Sequence, residues 1–206
     1  MDKNKKVFRI NAVNPEKELM TRAADLIKKG GVVVFPTKHL YGIAVDARCV
    51  QAVEKVFKIK HRARNNPLLV LVHKKEELAA LVKSTPAAAL KIMEKFWPGD
   101  VTLVFEAGEH VPGILTSNTG KIGIRMPAHP VARALVNETG IPVTGTSANI
   151  SGTIGASCIQ DLSRKIIKQA DLVLDAGRLE GGIGSTVVDV TIDPVTVLRQ
   201  GPVYID

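Results

Sequence analysis

The sequence predicts an α/β fold: a single domain over residues 1–206 in which helices surround a twisted, mixed and at least partly parallel sheet. Segments with the pattern of buried strands alternate with amphipathic helical segments along the chain. Hydrophobic residues make up 45% of the 206 residues, aromatic residues only 4%, and there are 17 glycines, a composition typical of a compact α/β protein. This length is enough to bury a core within one domain.

The N-terminal region is predicted to contain a short edge strand, a helix and a buried strand. Residues 7–10 form the edge strand, and Asn14 is expected to cap a helix that has Pro15 at its first position. The pair Gly30-Gly31 would end this helix, because glycine readily adopts the backbone conformation that terminates helices. Residues 32–35 then form a continuous apolar strand.

The rest of the chain continues this alternation. Asp46 is a candidate cap for a second helix, which runs to about Lys60. Further strands are predicted at residues 68–72, 101–105, 122–127, 142–145, 172–174, 186–190 and 195–199. Further helices are predicted at residues 75–82, 86–96, 130–138 and 157–170, the last beginning at a capping box of Ser157 and Gln160.

Composition and charge limit the cellular compartment and the chemical class of the binding partner that we expect. The formal net charge of +8 implies an anionic partner, either a nucleotide or a nucleic acid. Cys49 and Cys158 lie far apart without metal-type spacing, which predicts two ordinary buried thiols in a reducing compartment. Residues 1–6 are not followed by the apolar segment of a signal peptide, and no apolar run has the length of a membrane span. We therefore expect a soluble, cytoplasmic protein with no membrane partner.

A basic segment is the first candidate for a functional site. An acid-free, lysine- and arginine-rich window spans residues 55–75 and contains Lys60 and Arg62. If the chain is already extended at Lys60, these two side chains lie on the same side. A guanidinium beside an ammonium suits a polyphosphate, because the first binds oxygens bidentately and the second adds a point charge. The alternative is a solvated basic loop.

Two polar groups at predicted strand ends are further candidates, since ligands bind at such ends in open α/β sheets. Ser147 and Asn149 follow a short apolar strand, and their hydroxyl and amide groups can bind a phosphate or a base. An ordinary Ser/Asn turn would explain the same residues. Arg125 lies in an apolar strand, so it either reaches an acidic side chain or faces a cleft and binds a carboxylate.

Neither a Walker A pattern nor a GxGxxG motif occurs in the sequence, so a bound nucleotide must be held in another way. His39 and His61 lack partners at metal-ligand spacing, which argues against a metal held by side chains alone. Magnesium that arrives with a polyphosphate fits better, since this ion retains waters and binds phosphates. Residues 181–184, three of them glycine, precede Ser185 and form either a mobile lip or a turn.

The order of short motifs along the chain resembles the YrdC/Sua5/TsaC family, the threonylcarbamoyl-AMP synthases. The resemblance covers about residues 15–203 and suggests the short, single-domain form without the extra C-terminal domain of the Sua5 type. The motifs are Pro36-Thr37 with Tyr41-Gly42, Lys60-x-Arg62 with Asn66-Pro67-Leu68, Trp97-Pro98-Gly99, Ile122 to Pro127, Ser147-Ala148-Asn149-x-Ser151-Gly152, Ser185 to Asp189, and Arg199-x-Gly201.

The resemblance implies a YrdC-like fold with an open, basic cavity. It also implies condensation of L-threonine, bicarbonate and ATP, with magnesium, into threonylcarbamoyl-AMP and pyrophosphate. The product would serve the modification of adenosine 37 in tRNA through downstream threonylcarbamoyl-transfer proteins. By resemblance, the catalytic tetrad is Lys60, Arg62, Ser147 and Asn149, and further ATP contacts are Asn66 and Arg199. The threonine contacts would be Thr37, His39, Tyr41, Arg125 and Ser185.

The sequence departs from the family pattern where the amino acid is expected to bind. Lys38 and His39 replace the usual acidic residue and threonine after Pro36-Thr37, and Lys121 replaces a frequent hydroxyl residue. One alternative is a paralogue that makes another carbamoyl-adenylate in the same cavity. A second alternative, from a different class, is a module that binds double-stranded RNA or the ribosome without turnover. The small number of aromatic residues for base stacking argues against RNA binding.

Overall fold

The computed structural model describes residues 6–205. Residues 1–6, which entered the prediction about a signal peptide, lie almost wholly outside this range. Within residues 6–205 the chain forms eleven strands in two mixed sheets. The strands are β1 (Val7–Arg9), β2 (Val33–Pro36), β3 (Tyr41–Ala44), β4 (Val70–Leu71), β5 (Val101–Glu106), β6 (Lys121–Arg125), β7 (Val143–Thr144), β8 (Thr146–Ser147), β9 (Leu172–Asp175), β10 (Thr186–Asp189) and β11 (Thr196–Arg199).

The helices pack around these sheets. Six α-helices lie in the described part of the chain: α1 (Lys17–Lys28), α2 (Val50–Lys60), α3 (Ala87–Phe96), α4 (Gly113–Thr116), α5 (Pro130–Thr139) and α6 (Arg164–Gln169). Residues Lys75–Ala80 and Ile159–Asp161 form 3-10 helices. None of the helices described is long and apolar enough to cross a membrane.

The two sheets meet where the chain passes from β7 to β8. The first sheet has the order β1-β9-β2-β3-β8 and the second the order β11-β10-β5-β6-β4-β7. Gly145 alone separates the edge strand of one sheet from the edge strand of the other. A Cβ atom at this position would lie 2.6 Å from Cγ of Leu71, so only glycine fits without displacing that side chain. The crossing places Ser147 at the junction of the sheets.

Apolar side chains form a core on each side of the first sheet. In the smaller core, α1 and α5 pack on one face of that sheet through residues such as Leu19, Ile27 and Leu135. In the larger core, α2 and α3 pack with strands of both sheets around Val53, Met93 and other buried residues. The second sheet therefore has one face in the core, which leaves its other face available to line a cavity.

The predicted α/β class and mixed sheet are confirmed, but the strands form two sheets rather than one. Sequence periodicity gives each strand and its buried face, whereas the division into sheets depends on pairing between distant strands. The strand at Tyr41–Ala44 was not predicted, because its Gly42 and the preceding Pro36 are residues that typically mark a turn. Residues 75–82 were predicted as an α-helix, and the structure has a 3-10 helix there.

Three predicted helix starts are wrong. Helix α1 begins after Glu16 rather than Asn14, because the Asn11 side chain accepts the backbone N–H groups of residues 13 and 14 in a separate turn. The carboxylate of Asp46 accepts the Arg48 N–H within a turn and does not cap α2. The segment 157–170 is split into a 3-10 helix and α6, whose cap is Ser163 rather than Ser157.

Candidate functional site

A cavity of about 500 Å³ lies against the second sheet, on the face turned away from the core. Every second residue of the central strands lines it, as expected for side chains that alternate between the two faces of a sheet. Strand β5 contributes Thr102 and Val104, and β6 contributes Lys121, Gly123 and Arg125. The intervening residues of these strands are buried in the larger core. The cavity floor is thus part apolar and part cationic.

The remaining walls come from the segments that the sequence identified. The lining includes Thr37, residues 39–42, Arg62, residues 67–69, residues 145–147, residues 184–185 and Arg199. It is completed by Leu71, Thr119, Pro127, Val187 and Leu198. The fold thus brings together candidates that are up to 162 residues apart in the sequence, from Thr37 to Arg199. Hydroxyl groups and guanidinium groups dominate the polar part of this lining, and it includes no aspartate or glutamate.

Lys60 connects the basic segment to the segment at Ser147. It is 1% exposed, and its Nζ donates to the backbone oxygen of Ser147 and to both the backbone oxygen (2.9 Å) and Oδ1 (3.1 Å) of Asn149. Burial, reinforced by the charge of Arg62, lowers the pKa of Lys60 to about 7. The three acceptors favour the ammonium form in opposition to burial. Lys60 therefore holds the segment 147–149 in place from behind the cavity wall.

The backbone at Lys60 is helical, so the conditional argument from an extended chain was wrong. Lys60 is the last residue of α2, and His61 has left-handed backbone angles (φ 50°, ψ 39°) that reverse the chain. This reversal, rather than an extended strand, brings Arg62 to the region of Lys60. The guanidinium of Arg62 lines the cavity and donates through Nε to Asn66 O (3.0 Å) and through Nη2 to Pro67 O (2.9 Å).

Ser147 and Asn149 form one hydrogen-bonded unit. The Ser147 hydroxyl donates to Asn149 Oδ1 (2.5 Å), and the amide of Asn149 donates to the backbone oxygens of Ile150 (3.0 Å) and Thr153 (2.6 Å). Ser147 lines the cavity, whereas Asn149 and Lys60 are not part of the lining. These contacts form a fixed polar loop at the seam between the sheets, beside Arg62.

Arg199 is close enough to two other arginines of the cavity to influence their pKa values. Its charge, second to burial, lowers the pKa of Arg62, and it also contributes to the lowered pKa of Arg125. The Arg199 guanidinium donates twice to Ser185 O, at 3.1 and 2.8 Å. Ser185 is 2% exposed, and its hydroxyl shares a 2.7 Å hydrogen bond with that of Thr102. Three guanidinium groups therefore contribute positive charge to one cavity.

Arg125 reaches an acidic side chain and also lines the cavity, while its binding of a ligand carboxylate there stays a prediction. It is 8% exposed; its Nη2 lies 2.5 Å from Asp100 Oδ1, and its Nε donates to Gly99 O at 2.8 Å. Burial lowers the pKa of Arg125, and the Asp100 carboxylate opposes this effect. Asp100 was not singled out from the sequence, although a charged residue directly before an apolar strand was a signal for it.

The other candidates for amino-acid contacts lie in the turn between β2 and β3. The Thr37 hydroxyl donates to Leu40 O (2.6 Å), and His39 contacts Asp100 Oδ2 (3.2 Å) and Gly181 O (3.1 Å) through its two ring nitrogens. Tyr41 is fully buried and its hydroxyl donates to Gly177 O at 2.7 Å; burial raises the pKa of Tyr41 well above its usual range. The Tyr41 hydroxyl is thus committed to the fold.

The remaining candidates differ in their placement. The exposed Asn66 side chain is not part of the cavity lining, and this residue contributes its carbonyl to Arg62. Lys121 does line the cavity and is held by Asp189 at 2.7 Å. Cys158 is buried as predicted, but Cys49 is only partly buried, and both thiols are free. In the described range 6–205, no group of three or more histidine, cysteine, aspartate or glutamate residues is placed to hold a metal ion.

Comparison with known proteins identifies the family. The Sua5/YciO/YrdC family model, which carries the description "Telomere recombination", matches residues 25–201. The chain belongs to this family. It is 35% identical over 179 residues to a threonylcarbamoyl-AMP synthase of Pyrococcus abyssi, a match that covers 87% of this chain and 53% of that protein.

Two solved structures of the family have the same fold. The crystal structure of P. abyssi Sua5 in complex with L-threonine matches with a TM-score of 0.90 at 32% identity, and covers 95% of this chain and 57% of that one. The crystal structure of Escherichia coli YciO matches with a TM-score of 0.88 at 28% identity, over 96% of each chain. The chain thus spans about half the length of the first curated relatives, 53% for the proteins of P. abyssi and Bacillus subtilis.

Proposed function

We propose that this protein is an L-threonylcarbamoyladenylate synthase, a nucleotidyltransferase that forms threonylcarbamoyl-AMP and pyrophosphate from L-threonine, bicarbonate and ATP. The observation that carries the proposal is the cavity itself, where Arg62, Arg125 and Arg199 surround a space that also receives Ser147. The relatives named threonylcarbamoyl-AMP synthase and the Sua5 complex with L-threonine support the same activity.

The nucleotide would bind at one end of the cavity, defined by Arg62 and Ser147 and called here the nucleotide end. Arg62 binds phosphate oxygens through its free guanidinium hydrogens, and the Ser147 hydroxyl, whose one hydrogen is donated to Asn149, accepts a neutral hydrogen bond from a hydroxyl or amino group of the nucleotide. Lys60 and Asn149 act by fixing this loop, since their polar atoms contact each other. Arg199 extends the positive charge, and Asn66 contributes by orienting Arg62.

The amino acid would bind at the other end, defined by Arg125, His39 and Ser185 and called here the amino-acid end. Arg125 has guanidinium hydrogens beyond those bound to Asp100 and Gly99, and these suit an α-carboxylate. Thr37 and Ser185 also belong to the cavity lining, and each carries a hydroxyl group. Tyr41 shapes the wall with its ring, because its hydroxyl is committed to Gly177.

The chemistry follows from bringing the two substrates together. The threonine amine and bicarbonate form a carbamate with loss of water, and a carbamate oxygen then attacks the α-phosphorus of ATP. A new P–O bond forms, the bond to the β-phosphate oxygen breaks, and pyrophosphate leaves. Carbamate and triphosphate repel each other, so cations aimed at the phosphates lower the barrier. Holding both reactants in one cavity supplies the orientation.

Magnesium would enter with ATP rather than occupy a site built by the protein. The cavity lining contains hydroxyl groups and cations but no carboxylate, a donor set that does not by itself bind a divalent cation. Magnesium carried by the triphosphate would neutralise part of its charge. We also propose that this chain acts as a single domain in the cytoplasm, and that its product is used by proteins that transfer threonylcarbamoyl to adenosine 37 of tRNA.

The test is a pyrophosphate-release assay with ATP, magnesium and bicarbonate, in which each amino acid is supplied in turn. Threonine-dependent release that is lost in Arg62→Met is the expected result. Release with another amino acid alone would favour a paralogue with altered selectivity, which the contacts of Lys38 and His39 with Asp100 make worth testing. No amino-acid-dependent release, with the protein folded and bound to ATP, would reject the synthase.

A further inference from the structure

One buried acid lies behind two residues that line the amino-acid end. The Asp100 side chain is 8% exposed, and its two oxygens have different partners. Oδ1 lies 2.5 Å from Arg125 Nη2, and Oδ2 lies 3.2 Å from His39 Nε2. Asp100 itself is not part of the cavity lining, whereas both partners are. A single carboxylate therefore fixes the spacing of an arginine and a histidine at the cavity surface.

The turn that carries Asp100 also restrains Arg125 a second time. Its Nε donates to the carbonyl oxygen of Gly99, the residue directly before Asp100. Two bonds from adjacent residues define the plane of the guanidinium, because they use two different nitrogens of a rigid, planar group. The guanidinium hydrogens that remain are then directed by these two anchors. The orientation of Arg125 in the cavity is thus set from behind.

His39 extends this network to the glycine-rich lip, which we define as residues 180–185. Its Nδ1 lies 3.1 Å from Gly181 O, and the Gly181 N–H donates to His39 O at 2.9 Å. Gly181 O and the Asp100 carboxylate both accept hydrogen bonds, so a ring nitrogen of His39 that carries a proton can donate to the one it faces. The lip ends at Ser185, which lines the cavity. His39 therefore connects the lip to Asp100.

Two further charges lie near this network and contribute little to it. The Lys38 Nζ lies 3.7 Å from Asp100 Oδ2 and 3.8 Å from Glu180 Oε2, and Glu180 Oε2 lies 3.4 Å from His39 Nδ1. The side chains of Lys38 and Glu180 are 46% and 60% exposed. Ion pairs at such exposed positions are screened by solvent and weak. The buried contacts of Asp100 are consequently the ones expected to matter.

We propose that Asp100 is a positioning residue of the amino-acid end: it holds Arg125 and His39 side by side for the amino-acid substrate and, through His39, holds the lip over the cavity. This inference rests on the proposed function for the identity of the substrate, whereas the link from Asp100 to the lip does not. Removing one member of a buried charge network leaves the remaining charges without compensation. The positions of Arg125 and His39 should therefore depend strongly on Asp100.

The first experiment separates the two substrates kinetically. In Asp100→Asn, the KM for threonine should rise about tenfold or more, while the KM for ATP stays within about twofold, because one charged hydrogen-bond network is lost at one end only. Asp46→Asn is the matched control, since the Asp46 side chain is also largely buried (13% exposed) and binds Arg48, and neither residue lines the cavity. An equal rise of both KM values in Asp100→Asn, or the same threonine effect in Asp46→Asn, would overturn the proposal.

The second experiment examines the lip without requiring turnover. A glutamyl endopeptidase cuts after Glu180, inside the lip, and its rate reports the population of the opened segment. Asp100→Asn and His39→Ala should each speed this cut by about tenfold. The double variant should add little, because both changes break the same connection. Lys38→Met should change the rate by less than about twofold.

The two experiments distinguish the possible failures. If the wild-type protein shows no threonine-dependent turnover but Asp100→Asn opens the lip, the proposed function fails and the positioning role stands. If turnover is present but cleavage after Glu180 is unchanged in Asp100→Asn, the link through His39 is wrong. Thermal unfolding midpoints of all variants, together with cleavage at a second glutamate outside the lip, show whether an increase is local to the lip.

Discussion

The two ends of the cavity hold their cations in different ways. At the nucleotide end, Lys60 and Arg62 are bound only to neutral oxygens, the carbonyls of residues 66, 67, 147 and 149 and the side-chain oxygen of Asn149. At the amino-acid end, Arg125 and His39 share the carboxylate of Asp100. Within residues 6–205, no acidic side chain forms an ion pair with Lys60 or Arg62, whereas the buried Asp100 compensates the charge of Arg125.

This difference assigns different tasks to similar side chains. Uncompensated positive charge attracts a polyanion, and in the proposed reaction it would oppose the repulsion between ATP and carbamate. A compensated cation contributes less to long-range attraction, and it offers directed hydrogen bonds at a fixed position instead. The nucleotide end should therefore depend mainly on charge, and the amino-acid end mainly on geometry. Arg199 lies close enough to influence the pKa values of both Arg62 and Arg125, so it connects the two.

The largest expected effect is the loss of ATP binding when both cations of the nucleotide end are removed. In the double variant Lys60→Met/Arg62→Met, the Kd for ATP should rise by about 100-fold or more, because the Arg62 charge in the cavity lining and the buried Lys60 charge that holds residues 147–149 behind it are both lost. Isothermal titration calorimetry with ATP and magnesium measures this directly.

A control for this variant lies on the same helix. Lys58 is exposed and belongs to the same basic window, so Lys58→Met removes a charge without touching the cavity and should change the Kd for ATP by less than about twofold. Normal ATP affinity in the double variant would eliminate the distinction between the ends. Because Lys60 is buried, the thermal midpoint of the double variant must be recorded beside its affinity.

A smaller effect is expected from the neutral hydrogen bond at the nucleotide end. Ser147→Ala should lower kcat/KM for ATP about tenfold, since it removes both a hydroxyl from the cavity and its bond to Asn149. Thr153→Ala is a suitable comparison, because the Thr153 hydroxyl binds Ile150 O in the same loop but does not line the cavity. If the two variants lose activity equally, Ser147 acts only through the stability of the loop.

The sequence predicted more of the elements than of their arrangement. Helix α5 illustrates the success: Pro130 lies at its first turn and Gly140, with φ 60°, ends it, as local sequence rules require. The division into two sheets was not predictable in this way. It depends on which distant strands pair and on the crossing at Gly145, and neither leaves a periodic pattern in the sequence.

The candidate site shows the same limit. The cavity-lining Arg62, Ser147 and Arg199 were all singled out by motifs, because those motifs fall at strand and helix ends. Asp100 was missed, since its partners His39 and Arg125 are 61 and 25 residues away in the sequence. The chain reversal at His61 was also missed, because a left-handed conformation in a non-glycine residue has no local signal there.

The charge of Lys60 should make the nucleotide end sensitive to pH. The pKa of Lys60 is lowered to about 7, so raising the pH through neutrality removes its charge and one of its three donors. Between about pH 6 and pH 9, the Kd for ATP should therefore rise about fivefold in the wild-type protein. In Lys60→Met only the ionisation of ATP itself remains, and it is common to both proteins. Identical pH profiles would contradict a role for this charge.

Stability should change with pH in the opposite direction. The pKa of Lys60 is lower in the folded protein than its ordinary value of 10.5. Between the two values the unfolded chain binds more protons, so the contribution of Lys60 to the free energy of unfolding increases as the pH rises from about 7 to about 10.5. Urea unfolding of the wild type and Lys60→Met across this range measures the difference. A wild-type contribution that falls with rising pH would show that the three acceptors outweigh burial.

The smallest expected change concerns salt at the amino-acid end, and it tests the comparison most directly. Raising the NaCl concentration from about 50 to 500 mM should weaken ATP binding about threefold, because the uncompensated charges at the nucleotide end are screened. The Kd for threonine, measured without ATP, should change by less than about twofold, since Asp100 already neutralises much of the charge beside Arg125. Asp100→Asn should make threonine binding weaker and at the same time more sensitive to salt. Equal salt dependence of the two ligands in the wild type would mean that Asp100 compensates nothing, and the contrast between the ends would then lie in hydrogen-bond geometry alone.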